Sequence, residues 1–220
     1  MISKDIQQVR AAVAEASRQL AGHDFVLGTA GNVSARVGDL VAVTASGIAL
    51  AEATADDVTV VDLDGNHHAG HLRPTSEIEI HLGVYRSSHQ LAVVHTHSPA
   101  AISVSLIASE LPVIHYQQLL LGGAVPVVPF AAFGSEELAS STLAALRQKN
   151  AAILANHGSV TVGDSLETAL DNAVLLEWSS RIYLDAAAVG APRPLTDAQL
   201  QDVVQAAVRT GYGSTHPIGT

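Results

Sequence analysis

His95-Thr96-His97 places two imidazoles two positions apart in a Val-rich run. On a β-strand, residues i and i+2 point to the same face, so both rings can meet a single ion. A third imidazole, His157, stands in Ala155-Asn156-His157-Gly158, where the glycine lets backbone crowd a site. Three neutral nitrogens with an open position for substrate oxygens are what a catalytic zinc site needs. The chain has no Cys, so any zinc must be held by nitrogen and oxygen. Imidazole also suits Mn²⁺, Co²⁺ and Fe²⁺, so the donors define a class of metal.

Glu77 is the carboxylate best placed to join them. It follows Pro74-Thr75-Ser76, a helix-start signal, and would fall in the first helical turn. Two readings stand: stabilisation of the helix start by the dipole, or a general acid or base beside the metal. A base that takes a proton from carbon needs the resulting enediolate stabilised, and a chelating ion does that. Three small-residue segments are Gly28-Thr29-Ala30-Gly31-Asn32-Val33-Ser34, Thr44-Ala45-Ser46-Gly47 and Thr75-Ser76. Together they offer hydroxyls, an amide and backbone N–H groups able to cradle a phosphate. Arg36 or Arg73 could assist, although Arg36 on a strand can equally be solvated. No Gly-x-Gly-x-x-Gly or Walker sequence is present, which argues against a nucleotide cofactor. His67, His68 and His71 fall in a turn-rich stretch and read as a solvated loop. His81 and His89 read as helix-surface or packing residues, and Glu79 as a salt-bridge or solvent-facing partner.

The elements that must position these groups are visible as periodicities. Ile2, Ile6, Val9, Val13, Ala16 and Leu20 form one apolar stripe, predicting an amphipathic helix that ends near Gly22. Asn32 to Arg36 and Leu40 to Thr44 read as strands joined at Gly38-Asp39, a hairpin signal. Val58 to Asp62 is a further strand, followed by a turn at Asp64-Gly65-Asn66. A helix with Thr75 or Ser76 as N-cap runs to about Ser87. Leu91 to His97, Val125 to Phe130 and Ala151 to Asn156 read as strands. Pro99 to about Ser109 and Ser135 to Lys149 read as helices. Asp164-Ser165-Leu166-Glu167 has capping-box form and opens a long helix to about Val189; Thr196-Asp197-Ala198-Gln199 opens the last. The class is α/β, a helix-covered antiparallel or mixed sheet.

With 220 residues, no linker and no internal repeat, a single domain over 1–220 is expected. A net charge of −10 argues against nucleic-acid binding, which needs a basic patch. The N-terminus lacks the charged-then-apolar plan of a signal peptide. The longest apolar run, Leu119 to Phe130, is broken by Gly122, Gly123, Pro126 and Pro129, so no membrane span is expected and a cytoplasmic location is the default. A mean hydropathy of +0.28 with 15% charged residues suggests apolar surface buried between subunits.

The set Gly28-Thr29-Ala30-Gly31-Asn32-Val33-Ser34, Thr44-Ala45-Ser46-Gly47, Pro74-Thr75-Ser76-Glu77, His95-Thr96-His97, His115-Tyr116 and Asn156-His157-Gly158, in this order, resembles the class II aldolase/adducin family. The likeness is greatest to its L-fuculose-phosphate aldolase branch. The resemblance implies a three-layer α/β/α fold with a largely antiparallel central sheet, assembled as a C4-type homotetramer with active sites at subunit interfaces. It implies Zn²⁺ held by His95, His97 and His157, with Glu77 as catalytic acid/base and a further metal contact. It implies a phosphate pocket of Asn32, Ser46, Gly47, Thr75 and Ser76. Tyr116 matches a tyrosine that serves a neighbouring subunit's site and handles the aldehyde oxygen's proton. Tyr212 resembles a C-terminal catalytic tyrosine in a loosely matching tail. Thr75 stands where the branch often has Ser and keeps the hydroxyl.

The implied activity is a metal-dependent aldolase reversibly cleaving a ketose 1-phosphate, of the L-fuculose-1-phosphate or deoxy-sugar type, to dihydroxyacetone phosphate and an aldehyde. Same-scaffold alternatives are a pentulose-phosphate 4-epimerase, a methylthioribulose-phosphate dehydratase or a decarboxylase. A cupin barrel would place the Glu soon after the His pair, whereas the next acidic residue here is Glu110, and the clear helices oppose a barrel. An adducin-like interaction domain can dispense with the metal ligands, which this chain keeps.

Overall fold

The computed structural model describes residues 4–211. The amphipathic stripe at the start forms α1 (Lys4–Ala21), which buries Ile6, Val13, Ala16 and Leu20. The Gly38-Asp39 signal makes the expected hairpin: β1 (Asn32–Val37) pairs antiparallel with β2 (Leu40–Thr44), closing at Val37 opposite Leu40. β3 (Val58–Asp62) adds to β2, and β4 (His67–Ala69) adds to β3. On the other side β1 pairs with β5 (Ala92–Thr96), β5 with β9 (Gly158–Gly163) and β9 with β8 (Ala151–Leu154). β7 (Val125–Val128) and the short β6 (Glu110–Leu111) complete the sheet, in the order β4-β3-β2-β1-β5-β9-β8-β7-β6. Only β7 and β8 run parallel among the described strands, so the sheet is mixed but largely antiparallel.

Alternation along the strands divides the core in two. Val33, Ala35, Ala92 and Val94 pack with α1 and with Ala169 and Ala173 of α5 (Leu166–Ala187). Val41, Val43, Val93 and Val160 pack on the opposite face with Ile80 of α2 (Ile78–Ser87) and Leu138 of α4 (Glu136–Ala145). Helices on both faces give the three-layer α/β/α arrangement. A third apolar group joins α3 (Pro99–Ser105) and Leu121 to Ile153 and to Leu176 of α5. The chain ends in α6 (Asp197–Thr210), whose Thr196–Gln199 capping box forms as expected. No described helix is long and apolar enough to cross a membrane.

Several boundaries differ from expectation. α2 starts at Ile78 with Glu77 itself at the cap position, rather than Thr75 or Ser76. α5 is capped by the Ser165 hydroxyl on the Thr168 N–H, so Asp164 and Glu167 form no capping box. The stretch read as a loop at His67–His71 contains an edge strand, β4. Its two exposed histidines masked the pattern, and His68 pairs with Asp62 at 3.1 Å. β9 was not anticipated, because Gly158 and Gly163 bracket a short run of Ser, Val and Thr. α3 and α4 stop four residues short of Ser109 and Lys149, at Ser105 and Ala145. In α3, Ser103 and Ser105 turn their hydroxyls back onto the carbonyls of Pro99 and Ile102.

Candidate active site

Three neighbouring strands converge on the histidines. In the β1–β5 ladder Asn32 lies opposite His95, and in the β5–β9 ladder Val160 lies opposite His95. His97 follows one residue beyond the end of β5, and His157 sits in the tight turn between β8 and β9. That turn has Asn156 at φ 58°, a left-handed conformation Asn tolerates better than most residues. Gly158 is required by close approach: a Cβ there would lie 1.9 Å from the Thr96 carbonyl oxygen. The three rings stand mutually edge-on, with centroids 4.9–5.0 Å apart. One ligand nitrogen from each lies within 4.8 Å of the others.

Protonation is set by what surrounds the rings. His95 donates Nδ1–H to the Ser159 carbonyl at 3.0 Å, since that oxygen can only accept. Its Nε2 is left as a lone pair in the buried interior. Glu77 Oε2 lies 3.0 Å from that nitrogen and Oε1 lies 3.5 Å from His157 Nε2. Yet His95 Nε2 and Glu77 Oε1 have no hydrogen-bond partner among the described residues, so proximity here is not a hydrogen bond. Buried acceptors facing one another are costly unless a cation lies among them, which is what this donor set fits. Burial, then its histidine neighbours, pushes the pKa of His97 down to about 4, and His157 moves the same way for the same reasons. Both rings are thus neutral and available as donors at neutral pH. Burial alone pushes the Glu77 carboxyl up; positive charge at His95 and His157, whether ring protons or a bound cation, and the Asn32 amide outweigh it and lower the pKa to about 2.

Glu77 is 6% exposed and makes no side-chain cap to α2, which weighs against the helix-start reading and for the chemical one. Thr75 does the local capping instead, its hydroxyl accepting the Glu77 N–H at 3.2 Å. Two further contacts steady the triad. Thr96 Oγ1 meets Ser98 Oγ at 2.6 Å and Ser159 Oγ at 2.8 Å, tying β5 to β9. Glu177 of α5 accepts the Ala100 and Ala101 N–H groups, anchoring α3 directly after His97.

The triad opens onto a cleft of about 460 Å³. All five expected phosphate residues, Asn32, Ser46, Gly47, Thr75 and Ser76, line it together with Glu77, His97 and His157. No Lys or Arg is among the described lining residues. Arg36 instead donates to the carbonyls of Gly38 and Tyr85, and Arg73 lies outside the lining. Tyr116 opens a 3₁₀ turn (Tyr116–Leu121) and packs on His115 with ring centroids 4.5 Å apart; it does not line this chain's cleft. Tyr212 lies outside the described residues.

Sequence reasoning missed two contributors. Phe130 and Phe133, 68% and 73% exposed, form one wall of the cleft. The signal was available: the chain has 3 Phe, and two stand in this one loop. His81, read as surface or packing, is fully buried and hydrogen-bonded to Asn32 and Ser34. His89 is exposed but lies beyond the end of α2, while Glu79 pairs with Arg86 at 2.8 Å as expected.

A three-layer fold with three histidines that could hold a metal ion, and a buried carboxylate beside them, defines a candidate metalloenzyme site. Residues 11–184 match the family of the class II aldolase and adducin N-terminal domain, and the chain belongs to that family. It is 30% identical to the 5-deoxy-D-ribulose 1-phosphate aldolase of Bacillus thuringiensis serovar kurstaki, over 94% of this chain and 98% of that one. It is 35% identical to the L-fuculose phosphate aldolase of Escherichia coli, over 81% and 84% of the two chains. A solved L-fuculose 1-phosphate aldolase superposes with a TM-score of 0.86 at 30% identity, covering 94% of this chain and 97% of that one. Family and relatives make this chain an enzyme of the lyase class.

Proposed function

We propose that this enzyme is a divalent-metal-dependent aldolase that reversibly cleaves a ketose 1-phosphate to dihydroxyacetone phosphate and an aldehyde. One observation carries the reading: Glu77 stands between the histidine triad and a cation-free cleft of hydroxyls and an amide. His95, His97 and His157, with Glu77 beside them, would hold Zn²⁺ or a similar ion, which supplies Lewis acidity toward the substrate's ketone and hydroxyl oxygens. Ser46, Gly47, Thr75, Ser76 and Asn32 take the phosphate through neutral donors. As the carbon–carbon bond breaks, the hydroxyl on the departing carbon yields its proton to solvent through Tyr116 of a neighbouring subunit and becomes the aldehyde. The electron pair stays on the three-carbon phosphate fragment, whose carbon takes a proton through Glu77, the carboxylate first gaining it from solvent water. In the reverse direction Glu77 removes that proton as the carboxylate.

A homotetramer belongs to this reading. Leu106, Ile107, Leu120, Trp178 and Ile182 are exposed on and beside α3, on the 3₁₀ turn and on α5, elements that pack on one another. Such a surface supports burial between subunits. The decisive experiment is exchange of dihydroxyacetone phosphate carbon hydrogens with solvent deuterium. Wild type should exchange, and Glu77→Gln should not while still binding metal; full exchange in that variant would sink the assignment. Product analysis on L-fuculose, L-rhamnulose, ribulose and 5-deoxypentulose phosphates then names the aldehyde, and loss of water instead of aldehyde release would indicate a dehydratase.

A further inference from the structure

Glu77, His81 and Tyr85 recur every fourth residue, so α2 and its cap place them on one stripe. Asn32 and Ser34 alternate on β1 and share the face turned toward α2. The two rows interlock. Tyr85 Oη lies 2.6 Å from Ser34 Oγ, and Ser34 Oγ lies 2.6 Å from His81 Nδ1. His81 Nε2 lies 2.5 Å from Asn32 Oδ1, and Asn32 Nδ2 lies 3.1 Å from Glu77 Oε2. None of these residues is more than 6% exposed.

We propose that Tyr85, Ser34 and His81 are positioning residues: they lock the Asn32 amide with its NH₂ on Glu77, and so hold the Glu77 carboxylate against the histidine triad.

The direction of each hydrogen bond follows from the chemistry of the groups. Burial pushes the Tyr85 phenol up, so it stays protonated, and a Val93 N–H also reaches its oxygen. Its own hydrogen is therefore free to go to Ser34. Ser34 then gives its hydrogen to His81 Nδ1. Burial first, then the neighbouring His95, lowers His81 to about 3, so the ring is neutral and carries one hydrogen. With Nδ1 accepting, that hydrogen is on Nε2 and is donated to Asn32 Oδ1. The amide nitrogen is left to face Glu77. The reverse polarity would set the Asn32 oxygen against a carboxylate, two acceptors in a buried place. An amide nitrogen has a second hydrogen, and Asn32 lines the cleft, so the same lock presents a donor and not an acceptor to a bound anion.

A buried polar chain inside an apolar layer is worth keeping only when its members are satisfied, and here Tyr85, Ser34 and His81 each find their partners within the chain. Packing gives it no reason: Val41, Val43 and Leu82 fill the same layer with apolar atoms. Its reason is the residue at its end.

Two measurements test the lock; the kinetic one rests on the aldolase reading and the other does not. In ¹⁵N NMR of the histidine rings of the full-length protein, with His81→Gln used for assignment, His81 should be neutral with its hydrogen on Nε2 at neutral pH. A hydrogen on Nδ1 would reverse the chain and overturn the proposal. In deuterium exchange with saturating dihydroxyacetone phosphate, His81→Leu should slow exchange by about tenfold or more. His81→Gln should recover most of it, because an amide can accept from Ser34 and donate to Asn32. Thermal unfolding is followed alongside both. Exchange by the Leu variant within about twofold of wild type, or equal losses in Leu and Gln variants, also overturns the proposal. Absence of exchange in the wild type strikes the aldolase reading instead. The tautomer measurement, made on the resting wild-type protein, then decides the lock alone, as it does should His81→Leu fail to fold.

Discussion

Asn32 and His95 are direct cross-strand partners in the β1–β5 ladder, and Glu77 touches both: Oε2 lies 3.1 Å from the amide nitrogen and 3.0 Å from the imidazole. One carboxylate thereby joins the proposed phosphate cleft to the histidine triad. The arrangement depends on register, because a slip of one residue would turn His95 to the opposite face of the sheet.

The triad should bind one divalent ion per chain, measured by elemental analysis of the purified protein. Chelation should abolish activity, and added Zn²⁺, Mn²⁺ or Co²⁺ should restore it to differing degrees. His97→Ala should reduce affinity sharply, as one of three imidazoles is lost. Retention of stoichiometric metal by a His95→Ala, His97→Ala double variant would contradict the ligand assignment.

Gly158→Ala should be among the most damaging single-methyl changes available. The added carbon would meet the Thr96 carbonyl at 1.9 Å and the His97 Cα at 3.2 Å, and both are backbone atoms. A loss of about 3 kcal/mol in denaturant unfolding is expected, with metal affinity falling too. Little change in either would mean that β5 and β9 separate easily here.

Acid stability should carry the signature of His81. Its folded pKa of about 3 lies below the ordinary 6.5, so the unfolded chain binds the extra proton between those values. The contribution is complete above about 6.5 and is lost as pH falls toward 3. Glu77, held at about 2 against an ordinary 4.5, acts in the same sense at lower pH. Each group contributes at most about 1.4 kcal/mol per pH unit. Between pH 6.5 and about 4.5, His81→Gln should lose ~2 kcal/mol less than wild type in urea unfolding. Equal losses would show that His81 does not stay neutral.

Ser46 should matter to binding more than to folding. It is exposed in the cleft wall, so Ser46→Ala should change stability by less than about 0.5 kcal/mol. Loss of one hydrogen bond to a charged phosphate should raise KM for the sugar phosphate about tenfold, with kcat changed less. An unaltered KM would remove Ser46 from the phosphate pocket.

The histidines of the proposed metal site were legible as a group because their geometry is local. His95 and His97 share a strand face by alternation alone, and Asn156-His157-Gly158 stands at a strand end with a glycine that lets backbone crowd the site. Glu77 was legible as a carboxylate at a helix start, but its partners were not. They come from β1 and β5, and only strand pairing brings them within reach. For the same reason His81 was legible as a packing residue but not as a member of a polar chain. Alone on α2 it is one more packed ring; beside Asn32 and Ser34 it completes a chain. The spacing Glu77, His81, Tyr85 was the available sign, since three polar groups on one helix stripe need partners on the layer they face. β4 and β9 escaped notice because short strands rich in His, Ser or Gly are specified by their neighbours in the sheet. The Phe130–Phe133 loop carries no regular pattern, and Gly134, whose Cβ would lie 2.9 Å from the Ser76 carbonyl, is what seats it against the cleft.

That no Lys or Arg is among the described lining residues of the cleft has a consequence for traffic. The chain carries a formal charge of −10, so away from any ion at the histidine triad a phosphate ester diffusing toward it meets a net repulsive field. Dissolved salt shortens the reach of that field, so approach grows easier as ionic strength rises, the opposite of an arginine-lined site. Neutral donors also let go of a phosphate readily once it is no longer anchored at its other end. An enzyme built this way gives up speed of capture at low salt for ease of release, which suits a reaction that runs in both directions.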